Sequence, residues 1–317
     1  MGFFNVLLIY IMNLIVGGVL GELGLDIFNV CMVALLIISI LIMGFAETLS
    51  SIVPIYYAQN DYYNLNHIVR NSIIITMACS VIFTAFLLVY PDGLLMFFKL
   101  HNMPNDGLVE NAIRLYSLAF IPMAFSTMLL FYYEGIEKTV ESGIITVISE
   151  FLGPLIFTYL LYPYIGITSV WISFLLGFVL SIVAVAIYVK IVGRNDSEHY
   201  GLFFIRKGLI EKTRNYTLES KNDDAKSEMF NHLEGLNVDG SSIETLGNII
   251  DTIFDSNGGK VHVEILLIDY GDKIIINMKD EGKREVMRDI EKSFSKDDIK
   301  VSEVLGFNNI EYVIDRS

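Results

Sequence analysis

FFNVLLIYIMNLIVGGVLG, residues Phe3 to Gly21, contains no charged side chain. A hydrocarbon core about 30 Å thick needs roughly 20 mostly apolar residues per helical crossing, and this run meets that length. Five further stretches follow it: Ile27 to Ala58, Ile68 to Leu100, Leu108 to Ile136, Gly143 to Pro163 and Gly166 to Val192. The first two thirds of the chain, residues 1–193, therefore read as a membrane-embedded all-α unit of six helices. The second to fourth stretches exceed what a crossing requires, so parts of them project beyond the hydrocarbon or tilt. The connections are short, which makes neighbouring helices antiparallel. The longest, Tyr57 to Asn66, is polar and rich in tyrosine.

After Gly193 the composition changes to that of an ordinary soluble domain of about 120 residues. The chain as a whole is 53% hydrophobic, with mean hydropathy +0.54 and net charge −14. More than half of that negative charge lies in the tail. Such a surface excludes a nucleic acid partner, because phosphate binding draws on clustered Lys and Arg. Cys31 and Cys79 lie in apolar stretches without CxxC spacing and read as core residues. The stretch Met1 to Leu7 lacks a basic n-region, so the first helix is expected to be retained rather than cleaved. Val6 stands where a myristoylation motif needs Ser or Thr. Arg70, Lys138, Lys190 and Arg194 fall on one side of the membrane, with Lys99 the main exception, which makes that side cytoplasmic and puts both termini inside. The sequons at Asn195 and Asn215 are then chance matches.

Residues 194–214 form a juxtamembrane linker, in which Gly201 to Ile205 reads as an interfacial segment or a short strand. Residues 215–317 form a small cytoplasmic α+β domain, with helices on one face of a mostly antiparallel sheet. Asn215 to Ser220 alternates like a strand. Asp224 to Gly235 has helical spacing, with Met229, Phe230 and Leu233 on one face. Asp239 or Ser241 caps a second helix through Leu246, Ile249, Ile250 and Ile253. Val261 to Ile268 and Lys273 to Met278 form a hairpin across Asp269 to Asp272. A charged helix, Lys283 to Ser293, and a closing strand, Ile310 to Asp315, complete the domain.

A charge at the centre of a membrane helix costs about 2.5 to 3.5 kcal/mol on insertion scales, which makes Glu47 in the second stretch and Glu150 in the fifth candidates for a proton, cation or substrate path. A hydrated place near an interface is the plain alternative for each. Glu22 and Asp26 read as loop residues, and Glu110 and Arg114 as an i, i+4 pair. The five histidines are scattered without metal-ligand spacing.

The order of small and polar residues carries a more specific signal. Asn13 and Gly21-Glu22-Leu23-Gly24 end the first helix, Gly44 and Pro54 punctuate the second, Gly135 ends the fourth, and Gly166-Ile167-Thr168-Ser169-Val170-Trp171 opens the sixth. This succession, over Phe3 to Val192, resembles one half of the multidrug and toxin extrusion (MATE) transporters, especially their second six-helix lobe. The resemblance implies a cation- or proton-coupled antiporter that exports amphipathic, often cationic compounds by alternating access between two lobes. Only one lobe is present, and the central cleft lies between repeats. The chain then pairs with itself or with another half, or is a shortened remnant. Glu150 occupies the span equivalent to one that supplies acidic coupling residues in some members.

In the tail, Glu244-Thr-Leu-Gly-Asn248 lies on the second helix, with Glu244 and Asn248 one turn apart on the same face. Asp280-Glu-Gly282 follows directly on a strand. Over about Asn215 to Asp315 this order is similar to the ATP-binding fold shared by histidine kinases, gyrase and the anti-sigma-factor serine kinases, the last most of all. The resemblance implies Asn248 as a Mg²⁺ ligand, Glu244 as the catalytic group orienting the attacking water or hydroxyl, and Asp280 as acceptor for the adenine amino group of ATP. Gly282 would allow close backbone approach. A carboxamide oxygen suits Mg²⁺, whose sites combine few protein oxygens with substrate phosphates. The chain departs from that fold where a glycine-rich lid should follow, since no glycine occurs between Gly282 and Gly306. The leading expectation is thus a MATE-like half-transporter bearing a regulatory ATPase-like domain that engages a cytoplasmic regulatory protein. The alternative is a membrane-tethered ATP-binding kinase or partner-switching regulator whose helices serve as anchor.

Overall fold

The computed structural model describes residues 3–59, 61–97, 106–192, 201–203, 212–294, 299–304 and 306–315. They divide into a helical membrane unit and a C-terminal unit.

In the membrane unit α1 runs from Phe3 to Ala58, with one non-helical residue inside it, Gly21, at φ 62° and ψ −143°. Two expected spans thus share one element. A Cβ built on Gly24 would lie 2.8 Å from the backbone oxygen of Val16. Residues eight apart in a straight helix are about 12 Å apart along the axis, so this contact requires the chain to double back at Gly21. A side chain cannot adopt that φ without strain, and one at Gly24 would separate the arms. The expected loop over Glu22 to Asp26 is therefore helix, and the reversal takes a single residue.

The remaining helices are α2 (Tyr62–Val89), α3 (Pro91–Phe97), α4 (Asp106–Ser117), α5 (Phe120–Gly135), α6 (Thr139–Val147), α7 (Gly153–Ile165) and α8 (Thr168–Val192), with a π turn, Ile148–Leu152, between α6 and α7. With α1 counted whole, five described helical stretches are long and apolar enough to cross a membrane. The expected third and fourth spans each break in two. Pro91 starts a new helix because it has no N–H to continue the old one, and Pro122 follows the α4–α5 break for the same reason. The polar connection expected between Tyr57 and Asn66 is shorter than its composition suggests, since α1 reaches Ala58 and α2 starts at Tyr62.

The core of this unit packs Phe28 against Trp171 and Phe174, at ring separations of 6.3 and 6.4 Å, with Tyr116 on Phe174 at 5.0 Å. Outward faces remain apolar: Ile82, Phe86 and Val89 on α2 and Val183, Ile187 and Ile191 on α8 are exposed. Lipid solvates such a surface, whereas a water-soluble monomer rarely carries one so large. The helices are joined by hydroxyls. Ser80 donates to the Phe120 carbonyl at 2.7 Å, Thr84 to the Ser117 carbonyl at 3.1 Å, and the Ser126 and Ser181 hydroxyls lie 3.0 Å apart. Small polar residues commonly join helices in membranes in this way.

The C-terminal unit contains a five-stranded sheet in the order β1-β2-β3-β5-β4. Its strands are β1 (Thr213–Leu218), β2 (Val263–Asp269), β3 (Lys273–Asp280), β4 (Ile299–Val304) and β5 (Phe307–Asp315), all paired antiparallel. The helices are α9 (Asp224–Gly235), α10 (Gly240–Ser256) and α11 (Glu285–Ser293). Alternation places Val263, Ile265, Ile274, Ile276, Met278 and Ile310 in one core with Met229, Leu233, Leu246, Ile250, Phe254, Val286 and Ile290 of the helices. Asp223 and Asp239 cap α9 and α10 by accepting from the Ala225 and Ser242 N–H groups. Those bonds hold both carboxyls below the ordinary aspartate value, through the Glu219 N–H first for Asp223 and the Ser241 hydroxyl first for Asp239. β4 was not anticipated, and β5 begins three residues earlier than expected, because Asn308 and Asn309 join the ladder opposite Asp280 and Lys279. Of the expected linker, residues 194–200 and 204–211 lie outside the described residues.

Candidate functional site

Glu150 lies near the middle of the 27-residue helical stretch Thr139–Ile165, inside the π turn. The turn has a local cause. Gly153 donates its N–H to Ile148, one residue further back than an α-helix would, and Pro154 has no N–H to give. The same two residues press on α8: a Cβ on Gly153 would sit 2.6 Å from the Gly177 Cα, and one on Gly177 would sit 2.7 Å from the Pro154 ring. The close approach of α7 to α8 thus depends on glycine on both helices. Oε2 of Glu150 is buried and has no hydrogen-bond partner among the described residues.

A cavity of about 630 Å³ opens between the first arm of α1 and α7, lined by Ile11, Ile15 and Val19 on one side and Leu155, Tyr159 and Tyr162 on the other. α spacing puts Leu155, Tyr159 and Tyr162 of α7 on one side of the helix, facing the groove. Phe4 and Phe151, 5.7 Å apart, tie the same two helices together beside Glu150. The groove is apolar and aromatic-walled, and Glu150, one turn and a half before Leu155 in the chain, is not part of its lining.

Glu47 is different. It is exposed on the second arm of α1. The run from Ile27 to Ala46 spans about 30 Å of helix, so Glu47 follows a full hydrocarbon thickness of apolar chain. Its carbonyl accepts from Ser50 and Ser51 at 3.2 and 2.9 Å. Neither Glu47 nor Glu150 lines the α1–α7 groove, so the structure does not bring the two together there. Elsewhere the Arg114–Glu110 pair forms at 3.1 Å and Cys31 is fully buried.

In the C-terminal unit Glu244 and Asn248 are exposed on α10 and line a groove of about 880 Å³ with Lys226, Phe230, Glu234 and Asp251. Lys226 pairs with Asp251 at 2.5 Å. Neither Asp280 nor Gly282 lines this groove. Asp280 is 1% exposed, and its Oδ1 accepts from the Gly282 N–H at 2.7 Å and the Asn308 amide at 2.9 Å. Asn308 also donates to the Gly282 and Lys283 carbonyls, at 3.3 Å each. Asn257, at the end of α10, accepts from the Lys283 N–H at 2.9 Å, and its amide would lie within 2.6 Å of a Cβ on Gly282. Burial pushes the Asp280 carboxyl above its ordinary value, against the lowering effect of those two hydrogen bonds. Its Oδ2 is buried without a partner among the described residues.

That oxygen can accept an N–H donor, but it is buried, and a ligand would reach it only if the turn opened. Beyond this turn α11 begins at Glu285, and the Asn257 amide packs closely against Gly282. Among the described residues no three His, Cys, Asp or Glu side chains group as a metal site. Sequence reasoning missed Asn257 and Asn308, whose only signal is their place beside the Asp-Glu-Gly turn in the fold.

Residues 1–160 match the MatE family model. The chain belongs to the MatE family. The match includes the α1 hairpin, the π turn and Glu150. Solved structures agree on the fold. A MATE structure in complex with MaL6 superposes with TM-score 0.55 at 17% identity, covering 61% of this chain and 44% of that one. The outward-facing conformation of a multidrug resistance MATE family transporter of the MOP superfamily gives 0.54 at 18%, covering 61% and 43%. An inward-facing conformation gives 0.54 at 18%, covering 61% and 47%. The MatE chain therefore spans less than half the length of these relatives. No curated protein matches it.

Proposed function

We propose that the chain is a MATE-type half-transporter that exports amphipathic, often cationic compounds in exchange for protons or cations, with Glu150 as the ionisable group on the path. A second six-helix lobe, from another copy or another polypeptide, completes the cleft, and both termini are cytoplasmic. The observation that carries this reading is a glutamate inside a long apolar helical stretch, at a π turn, with a buried oxygen that has no hydrogen-bond partner among the described residues. A carboxylate in that place costs insertion energy that no visible hydrogen bond to Oε2 returns, and such residues mark transport paths.

The test is ethidium efflux from vesicles driven by a proton or sodium gradient. Glu150→Gln is expected to lower the initial rate at least tenfold (~1.4 kcal/mol or more in the rate-limiting barrier), and Glu47→Gln to leave it within about twofold. Full activity of the Glu150 variant sinks the assignment.

The C-terminal unit is read as regulatory, acting with a cytoplasmic protein. The free Oδ2 of Asp280 supports a second reading, in which the unit is a membrane-tethered ATP-binding switch. Titration of the full chain with labelled ATP, with and without Mg²⁺, separates the two. Micromolar binding lost in Asp280→Asn favours the switch, and no binding leaves the regulatory module.

A further inference from the structure

We propose that Tyr132 and Tyr133 form a two-point latch that fixes the start of the segment joining the membrane unit to the C-terminal unit, and that the seating of α5 on α1 controls it. Tyrosines near the ends of membrane helices ordinarily turn their hydroxyls to the interface. These two are 0% exposed. The Tyr132 hydroxyl donates to the Phe203 carbonyl at 2.5 Å and the Tyr133 hydroxyl to the Leu202 carbonyl at 2.6 Å. The Phe203 ring meets the Tyr132 ring edge to face at 5.2 Å. Neighbouring residues on a helix point about 100° apart, so two such hydroxyls reach consecutive carbonyls only when the segment crosses the helix end in one orientation. Position and rotation are both set. Gly201, at φ +77°, supplies the bend at the start of this short turn.

The latch has an input. Both tyrosines belong to the last turn of α5, whose end is closed by Ile136 and Lys138 donating to the Tyr132 and Tyr133 carbonyls. Gly135, in the same turn, lies against the second arm of α1: its Cβ would be 3.3 Å from the Ser50 carbonyl oxygen and 3.4 Å from Val53. A change in how α1 seats on α5 therefore moves the groups that hold Leu202 and Phe203. Coupling of this kind travels through contiguous packed contacts, and its demonstration requires perturbing one end while observing the other. The inference concerns how the chain is anchored and stands whether or not the lobe transports.

Hydrogen exchange of the full chain in lipid nanodiscs, followed by mass spectrometry on the peptide containing Gly201 to Phe203, tests it. Tyr132→Phe with Tyr133→Phe keeps both rings and removes both donors. Exchange of that peptide should accelerate at least tenfold while α5 amides stay unchanged. Phe203→Ala, which keeps the carbonyl acceptors, should give a smaller acceleration. Gly135→Val should accelerate the peptide in the native background and add nothing in the double-phenylalanine variant. Unchanged exchange in the double variant overturns the latch, and equal effects of Gly135→Val in both backgrounds overturn its control by α1.

Discussion

Glu150 and Asp280 each hold one buried carboxylate oxygen without a hydrogen-bond partner among the described residues, yet the turns around them are built in opposite ways. At Glu150 the backbone accommodates its neighbours: a proline without an N–H and a glycine pressed on Gly177 widen the helix by one residue. At Asp280 the carboxylate organises the backbone, since Oδ1 collects the Gly282 N–H and the Asn308 amide. The lesson is that an acidic motif in a turn can be accounted for by the turn it makes. Asp280 has a structural role whatever else it does, whereas no hydrogen bond among the described residues gives the buried oxygen of Glu150 such a role.

The largest expected effect comes from removing the feature that shapes the first turn. In Gly153→Val the new Cβ meets the Gly177 backbone, which has no side chain to move aside. Overpacking of this kind costs about 3 kcal/mol. Thermal unfolding in detergent should register that loss; a native midpoint would mean that the π turn is not set by the α7–α8 contact.

Asp280→Asn tests the second turn through pH. Burial raises the folded carboxyl above its ordinary 3.8. A raised pKa means that the folded state holds its proton longer than the unfolded one, so the stability contributed by Asp280 is complete below 3.8 and is lost as pH rises through the folded value. The asparagine variant removes this dependence. Denaturant midpoints recorded from pH 4 to 7 should then fall less steeply with rising pH than those of the native chain, and parallel curves would refute the assignment.

The smallest effect is expected at the α9–α10 groove. Lys226→Met breaks the pair with Asp251, which is partly exposed, and surface pairs contribute about 0.2 to 1 kcal/mol. A loss above 2 kcal/mol in the same denaturation assay would show that this groove, rather than the Asp280 turn, organises the C-terminal unit.

Much of this architecture is written in short-range pattern. Apolar run length gave the spans, and alternation with Asp and Gly punctuation gave α9, α10 and the β2–β3 hairpin close to their observed bounds. β4 escaped because IKVSEV is brief and follows Asp297 and Asp298, so its membership in the sheet depends on pairing with β5. The helix breaks at Tyr90 and before Pro122 were masked by continuous hydropathy, although both prolines were visible. For the candidate site, a charge inside an apolar run was enough to single out Glu150. Its π turn needed knowledge that Gly153 meets Gly177, 24 positions further along the sequence. The tyrosine contacts with Leu202 and Phe203 bridge about seventy residues, and nothing local in Tyr132-Tyr133 signals them. Pairings at that range come from tertiary packing rather than from periodicity.

The reversal at Gly21 has a consequence for biogenesis. Only one residue between the two arms, Gly21, leaves helical geometry, and the exposed charges nearby, Glu22 and Asp26, sit within the helix rather than in a loop. So tight a bend favours entry of the two arms into the bilayer as one pair, and a reporter spliced there should block membrane integration of everything up to Ala58.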